Sequence, residues 1–201
     1  MSQIKLVHSG GNGVIISAPS SNPASDINFK LPSTTGSSGE VLQNSSTAGT
    51  LEMGSPFRPA FSAFTSTGFN IAGSGYTKAL FQTELFDTDS AYNTSTSTFT
   101  VPANMGGAYQ LNAQIAVDDI NDGDYAAIIL YIDGTEATGC RAAHGWCPAS
   151  GKIVTVALHN VIKLTAGQTV NIYIYHNASG TQASENHMCC FSMFRLGGVP
   201  T

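Results

Sequence analysis

Residues 107–117 alternate between apolar and polar side chains almost without exception. The apolar positions are Tyr109, Leu111, Ala113, Ile115 and Val117, and the polar positions between them are Gln110, Asn112 and Gln114. Because successive side chains of a strand point to opposite faces, this period predicts a strand with one buried and one solvated face. The solvated positions carry amides instead of charges, and a weakly charged sheet is better suited to presenting a surface than to chemistry.

The whole chain shares this low charge. Of its 201 residues, 42% are hydrophobic and only 10% are charged, whereas charged residues make up about 25% of a typical soluble domain. Ser, Thr, Asn, Gln and Gly supply the polarity instead. Such surfaces are typical of proteins that pack into assemblies, since every charge buried at an interface needs a partner.

Charge and hydropathy exclude several classes of partner. The net charge is −5 and the eight basic residues are scattered, so we expect no nucleic-acid binding, which needs a concentrated basic face. The longest apolar run, at 125–132, has eight residues, far short of the roughly 20 that a membrane helix needs, so we expect no membrane insertion. The N-terminus has no extended apolar segment, so we expect no signal peptide and reduced cysteines.

The composition changes near residue 55. Residues 1–55 are rich in Gly, Ser, Thr, Pro and Asn, and their apolar islands are too short to close a core. These islands lie at 4–6, 14–16, 27–31 and 41–42. We therefore predict an N-terminal attachment arm at 1–55, ordered mainly by its partners, and a separate domain at 56–201.

The second domain has an all-β pattern. Strands are predicted at 60–65, 78–86, 97–101, 107–117, 125–132, 153–160, 169–176 and 189–196. Gly, Pro, Asn and Asp clusters separate them, and Asp133-Gly134 directly after an apolar run indicates a tight hairpin. In 169–176, Val170, Ile172 and Ile174 are expected to face away from Asn171, Tyr173 and Tyr175. Short strands at this spacing predict a two-sheet sandwich such as a jelly roll.

Several segments of this domain resemble C1q-type domains in order and in spacing. The similar segments are PAFSAF at 59–64, FTVP at 99–102 followed by GAY at 107–109, LTAGQTV at 164–170 and FSMFRL at 191–196. Their motif positions are Phe61, Phe99, Pro102, Gly107, Tyr109, Gly167 and Phe191. The chain departs from the family pattern at Gln168, where Asp is usual, and at Met193, where Gly is usual. The resemblance implies an all-β, ten-stranded jelly-roll (C1q/TNF-like) sandwich that forms a homotrimer and acts as a recognition or structural head without catalysis.

The arm resembles a segment that is common in bacteriophage virion and tail-fibre proteins. The similar stretches are LPSTTGSSGEVLQ at 31–43 and GTLEM at 49–53, with Met53 where Trp is usual. The motif positions, which the resemblance marks as arm-docking residues, are Leu31, Pro32, Gly36, Gly39, Val41 and Leu42. This similarity implies that the arm binds other virion proteins, capsid or tail, and that the head points outward.

Three segments contain residues that are able to ligate metals. Asp119, Asn121 and the carbonyl near Gly123 resemble the start of a calcium loop, but no Glu follows at the twelfth position, and a polar connection between strands is the alternative. The zinc candidates are Cys140, His144, Cys147, His187, Cys189 and Cys190. Their spacing is not that of a zinc site, so buried free thiols are favoured. No metal or cofactor is assigned.

Catalytic motifs are also missing from the sequence. Five histidines occur without a nucleophile elbow, no acid pair stands out, and Gly10-Gly11-Asn12-Gly13 lacks the context of a nucleotide loop. We therefore expect no enzyme activity. Trp146, the only tryptophan, is predicted to lie between strands, either as a ligand contact or, as we favour, as a plug over the core.

These observations lead to one functional hypothesis and one alternative. The chain is expected to be a non-enzymatic phage structural protein at the virion surface, a trimeric knob that decorates the capsid or forms a fibre tip. It would stabilise the particle, attach it to a host-surface glycan, or both. Trimerisation is expected to bury outward-facing residues such as Tyr173 and Tyr175. The alternative is a free-standing C1q-like lectin or adhesin that binds carbohydrate.

Overall fold

The structure is a computed structural model, and it describes residues 3–7, 10–11, 13–17, 20–21, 23–24, 29–45, 49–56 and 58–198. The chain divides into two compact units, residues 1–56 and residues 57–201. Strands are the only regular elements in the described ranges, which confirms the all-β class. In these ranges no helix has the length and apolarity needed to cross a membrane.

The first unit contains two short antiparallel pairs. β1 (Gln3–Val7) pairs with β2 (Gly13–Ser17), and β3 (Val41–Asn44) pairs with β4 (Leu51–Gly54). A parallel bridge joins Lys30 to Thr50. The predicted islands at 4–6, 14–16 and 41–42 therefore form strands, whereas 27–28 lie outside the described residues.

In the part of the second unit that the structure describes there are thirteen strands, several of only two or three residues. They are β5 (Ala60–Phe64), β6 (Asn70–Ile71), β7 (Thr77–Lys78), β8 (Thr83–Asp87), β9 (Tyr92–Asn93), β10 (Thr98–Thr100), β11 (Gly107–Ile120), β12 (Tyr125–Ile132), β13 (Thr135–Trp146), β14 (Lys152–Leu164), β15 (Thr169–His176), β16 (Gln182–Ala183) and β17 (Cys190–Gly197).

These strands form two principal sheets that pack face to face. The five-stranded sheet has the order β14-β11-β17-β5-β8, and the six-stranded sheet has the order β13-β12-β15-β10-β9 with β7 added beside β15. Neighbouring strands are antiparallel throughout. A further pair, β6 and β16, lies outside both sheets.

Alternating side chains from both sheets meet in one core. On β11, Tyr109, Leu111, Ala113 and Ile115 are buried, as the sequence pattern predicts. On β15, Val170, Ile172 and Ile174 are fully buried while Tyr173 and Tyr175 are only partly covered, which confirms the predicted facing. The hydrophobic residues removed from water on these two inner faces provide the main driving force for folding.

One strand prediction was wrong, and one long strand was not predicted. Residues 78–86 do not form one continuous strand. β7 ends at Lys78 and β8 begins at Thr83, and residues 79–82 between them belong to neither strand. The sequence also missed β13, which begins directly after the Asp133-Gly134 turn and pairs with β12. That turn itself is confirmed: Ile132 is opposite Thr135, and both central residues have positive φ (51° and 75°), as a type I′ turn requires.

Candidate functional site

The outer face of the five-stranded sheet contains a block of cross-strand neighbours without formal charge. We call it the amide face. Its three rows are Ala60, Phe194, Gln110 and Val161; Phe86, Ser62, Ser192, Asn112 and His159; and Thr83, Phe64, Cys190, Gln114 and Ala157. None of these fourteen residues is Asp, Glu, Lys or Arg.

Polar groups of the amide face bind one another. The Asn112 Oδ1 atom lies 3.0 Å from His159 Nδ1 and accepts a hydrogen bond of 3.4 Å from Gln110 Nε2. Gln114 donates from Nε2 to the Met188 carbonyl at 3.0 Å. Because these amides already have protein partners, covering them costs less than burying amides that lose water without replacement. Phe86 and Val161 add exposed apolar area, at 52% and 54% exposure.

The outer face of the six-stranded sheet is aromatic. Of the seven tyrosines, all within the described residues, Tyr92 and Tyr109 are buried in the core. The other five lie on this outer face, which we call the tyrosine face; they are Tyr76, Tyr125, Tyr131, Tyr173 and Tyr175. Residues 125 and 131 on β12 and residues 173 and 175 on β15 have the same parity, so the pleat alone places them together.

The rings of the tyrosine face form two groups. Tyr131 and Tyr173 have ring centroids 4.0 Å apart. Tyr175 stands between Tyr76 and Tyr125, with centroid separations of 5.6 and 5.8 Å. A hydrogen bond with Tyr125 raises the pKa of Tyr175 above its ordinary value. The Tyr175 hydroxyl is therefore neutral at physiological pH.

The second group of rings encloses a cavity of about 200 Å³. It is lined by Tyr76, Tyr125, Ala127, Ile129, Arg141 and Tyr175. Ala127 and Ile129 are 2% and 0% exposed, although the core-facing residues of β12 are their neighbours Ile128 and Leu130. The tyrosine rings thus cover an apolar floor on the outside of the sandwich.

Arg141 on β13 forms one wall of this cavity. Its guanidinium donates from Nε and Nη2 to the two carboxylate oxygens of Glu136, both at 3.1 Å, and from Nη2 to the Tyr76 hydroxyl at 2.6 Å. It also stands 5.5 Å from the centroid of the Tyr76 ring. The bond to Glu136 raises the pKa of Arg141 above its ordinary value.

The aromatic motif residues lie in the core. Phe61 stacks on Phe99 at 5.2 Å and meets Phe191 edge-on at 4.9 Å, and Phe99 meets Tyr109 at 5.8 Å. All four are at most 1% exposed. Tyr92 completes the cluster by stacking on Phe61 at 4.4 Å. These residues hold the two sheets together and do not form a surface site.

The remaining motif residues shape connections. A Cβ on Gly107 would lie 2.1 Å from the Gly197 carbonyl oxygen, so only glycine allows β17 this close. Pro102 accepts a hydrogen bond from the Met105 amide at 3.1 Å. Gly167 has φ +87° in the turn before β15, and its amide donates to the Val101 carbonyl at 2.9 Å.

Apolar side chains of the arm motif are exposed. Leu31, Val41 and Leu42 are 75%, 43% and 53% exposed, and the neighbouring Phe29 is 66% exposed. Gly36 lies where a Cβ would meet the Met53 side chain at 2.5 Å, and Gly39 has φ +90°. Pro32 is half-buried.

The thiols and acidic groups do not assemble into a ligand set. Among the described side chains, no three His, Cys, Asp or Glu form a group that could hold a metal ion. All four cysteines are free; Cys140, Cys147 and Cys189 are buried, and Cys190 is exposed. Adjacent Cys189 and Cys190 therefore face opposite sides, as expected, and burial raises the pKa of the Cys189 thiol. The prediction of buried thiols is wrong for Cys190.

Trp146 is not a core plug. It ends β13 directly opposite Tyr125, and its side chain is 66% exposed. The favoured prediction is therefore wrong, and the indole extends the tyrosine face. Sequence analysis missed Tyr76, Tyr125, Tyr131 and Arg141, although the even spacing of Tyr125 and Tyr131 around an apolar run was a usable signal.

A larger cavity, of about 520 Å³, lies beside the edge strands β8 and β9. It is lined by Glu84, Ser90, Ala91, Tyr92, Asn93, Thr94, Thr100 and Pro102. Glu84 is the single carboxylate in this lining, and the Tyr92 hydroxyl donates to the Phe81 carbonyl at 3.0 Å. The lining has neither an acid pair nor a base beside a nucleophile.

Comparison with known proteins identifies the fold. No family model matches the chain, and no curated protein matches it. Among solved structures, the globular domain of zebrafish complement 1qA protein is similar with a TM-score of 0.51 at 16% identity, over 71% of this chain and 100% of that domain. Eiger TNF from S. frugiperda gives a TM-score of 0.49 at 16% identity over 73% and 96% of the two chains. Murine APRIL gives 0.47 at 15% over 69% and 98%.

The sandwich has the jelly-roll fold of the complement 1qA globular domain. The match to the whole length of the complement 1qA domain carries this conclusion, and at 16% identity it concerns the fold alone.

Proposed function

We propose that this chain forms a homotrimer through its amide face and serves as a non-enzymatic head at the surface of a phage particle. The observation that carries the proposal is the block of fourteen outward residues without formal charge. Depletion of charge is the compositional mark of interface cores. The resemblance of the motifs to C1q-type domains supports a threefold assembly.

An uncharged face suits contact between identical copies. Around a symmetry axis, any charge on the contact surface faces the same charge of the next copy at short distance, and this repulsion costs energy. The amide face avoids that cost, because its amide side chains carry no charge and already have hydrogen-bond partners within the protein. We assign the contact here and not to Tyr173 and Tyr175, whose rings pack against other tyrosines.

The site chemistry supports a binding role without catalysis. The larger cavity contains Ser90 without a neighbouring base, and a single carboxylate, Glu84. The smaller cavity is lined by tyrosine rings and an arginine that is paired with Glu136. Both arrangements can bind a ligand, and neither can move a proton between an acid and a base.

The arm supports attachment to a particle. Leu31, Val41, Leu42 and Phe29 are exposed apolar side chains within a short segment, and such groups gain free energy when a partner covers them. The similarity of 31–53 to phage virion segments names that partner class, a capsid or tail protein. The head would then stabilise the particle, contact the host, or both.

The trimer is tested by light scattering on the full-length protein. The wild type is expected at three times the 20.9-kDa chain mass. Asn112→Lys places like charges together at the contact, at a cost of several kcal/mol, and should yield monomer. The matched control Asn70→Lys changes an exposed residue of β6, outside the amide face, and should stay trimeric. A monomeric wild type, or a trimeric Asn112→Lys protein, would contradict the proposal.

Placement on the particle is tested by electron microscopy of virions with the protein labelled. Label at regular surface positions is expected. A protein that is made during infection and absent from particles would favour the second candidate, a free-standing carbohydrate-binding lectin, for which the exposed tyrosine face is the supporting observation.

A further inference from the structure

We propose that the cavity of the tyrosine face binds one neutral pyranose ring of a glycan. The inference deepens the attachment role and rests on it, because it names the ligand that the outward head would recognise. It concerns the cavity between Tyr76, Tyr125, Tyr175 and Arg141 on the six-stranded sheet, on the other side of the sandwich from the amide face.

The cavity has the size and shape for a single ring. Its volume of about 200 Å³ is below the roughly 300–1,000 Å³ of sites that enclose drug-sized ligands. The floor, Ala127 and Ile129, is apolar and nearly fully covered, and the walls are tyrosine rings. A sugar ring presents an apolar C–H face, which fits against the tyrosine rings of these walls, and hydroxyls around its edge.

Charge in the cavity selects a neutral ligand. A cationic ligand such as a quaternary ammonium would seek the face of an aromatic ring, but the Arg141 guanidinium already stands 5.5 Å from the Tyr76 centroid and would repel it. An anion would bind the guanidinium, but the Glu136 carboxylate already binds it through two hydrogen bonds. The ion pair leaves a polar wall with little net charge.

Hydrogen-bonding groups at the rim match sugar hydroxyls. The Tyr76 hydroxyl accepts from Arg141, so its own O–H is available to donate. The two N–H groups on Arg141 Nη1 have no partner among the side chains that the structure describes. Tyrosine also loses little conformational entropy on binding, because its ring turns about only two side-chain torsions.

The exposed indole of Trp146 offers a second stacking surface. It lies directly across from Tyr125 in the strand register and is 66% exposed. A glycan longer than one unit could therefore place one ring in the cavity and a neighbouring ring on Trp146. We expect oligosaccharides to bind more tightly than the free monosaccharide.

The test is a glycan array probed with labelled full-length protein, carrying neutral, anionic and cationic glycans. We expect the wild type to bind a set of neutral glycans that share one pyranose. Tyr175→Ala removes a wall of the cavity and should lower the signal at least tenfold. Tyr76→Ala, at a 46% exposed position where folding is little affected, should do the same. The matched control Tyr173→Ala, on the same strand face and outside the cavity lining, should stay within twofold.

Each other outcome overturns the inference. A blank array, binding to charged glycans alone, or equal loss in Tyr173→Ala would do so. Capture of a protein by the wild type that Tyr175→Ala abolishes, with a blank array, would make the cavity a protein contact. Light scattering on the same samples separates this result from the proposed trimer: a trimer that binds no glycan overturns only the sugar site, and a monomer that binds glycan overturns only the trimer.

Discussion

At the scale of single residues, the tyrosines show that one type of side chain has different roles at buried and at surface positions. The Tyr109 hydroxyl donates to the Met105 carbonyl, and burial raises the pKa of Tyr109 to about 12. Burial likewise raises the pKa of Tyr92 above its ordinary value. A buried phenol must have such a partner; on the tyrosine face, the Tyr175 hydroxyl bonds with Tyr125 and the Tyr76 hydroxyl accepts from Arg141.

One ion pair at the start of the sandwich predicts a pH dependence. Arg58 donates to Asp89 from Nη2 at 2.6 Å and from Nε at 3.0 Å, and the Thr88 hydroxyl donates to Asp89 at 2.6 Å. Burial acts to raise the pKa of Asp89, but the bonds from Arg58 and Thr88 and the charge of Arg58 outweigh it. The pKa therefore lies below its ordinary value.

Asp89→Asn should lower the free energy of unfolding by about 1–3 kcal/mol at pH 7, because it removes hydrogen bonds to a charged group. The contribution of Asp89 is present above the unfolded pKa of about 3.9 and is lost as the pH falls through the lower folded value. The difference between wild type and variant should therefore shrink towards zero in acid. Urea unfolding at pH 7 and near pH 2 measures it.

The control for this experiment is Asp122→Asn, which changes an exposed carboxylate and should alter the free energy of unfolding by less than about 0.5 kcal/mol. A constant difference between wild type and Asp89→Asn from neutral pH to acid would show that charge is not the source of the effect.

At the scale of elements, the turn between β12 and β13 is held from outside as well as by its own residues. The Asp133 carboxylate accepts from the Thr169 amide at 2.7 Å and from Gln168 Nε2 at 3.0 Å. These bonds hold the pKa of Asp133 below its ordinary value. They tie the hairpin to the start of β15, the next strand of the same sheet.

Gly134→Ala should destabilise this hairpin by about 1–2 kcal/mol, because an L-residue pays that cost in the left-handed region, where Gly134 lies with φ +75°. A Cβ there meets nothing within 4 Å, so the cost is conformational and not steric. Gly75→Ala is the matched control, since its nearest contact would be 4.0 Å away and its φ is not positive. Chemical denaturation of both variants checks the prediction, and equal effects would refute it.

The elements that sequence predicted well are those whose pattern is local. The alternation at 107–117 marks β11, and the run at 125–132 coincides with β12. The strand prediction failed at residues 79–82 because their backbone groups form hydrogen bonds with residues far away in the sequence. The Phe81 amide donates to Ser97 Oγ at 2.8 Å, and Thr65 donates to the Leu80 carbonyl. No local pattern reveals such partners.

The strand β13 was missed in the sequence for a different reason. Its sequence contains Gly139 and Gly145 and no apolar alternation, and it lies at the edge of its sheet, where one partner strand suffices. The candidate surfaces share this dependence on pairing. Gln110 and Asn112 were visible as outward amides, but their place beside Phe194 and Ser192 depends on the register of β11 with β17.

At the scale of the whole molecule, the chain has two compact units that divide at residue 56. If the first unit serves only for docking, deletion of residues 1–55 should leave a folded trimer that no longer enters particles. Light scattering, a thermal melt and particle purification measure the three properties. Loss of the folded head on deletion would contradict the division of roles, and normal incorporation would contradict docking by the arm.

The fourteen neutral residues of the amide face also determine how copies find each other. Opposite charges guide most fast-associating proteins from a distance and penalise a wrong partner. A surface without them gives no such guidance, so copies should meet at unsteered rates, and added salt, which screens the repulsion between chains of net charge −5, should not slow them. The choice of partner then depends on shape complementarity alone, because a copy binds only when its surface matches the contact surface of its neighbour.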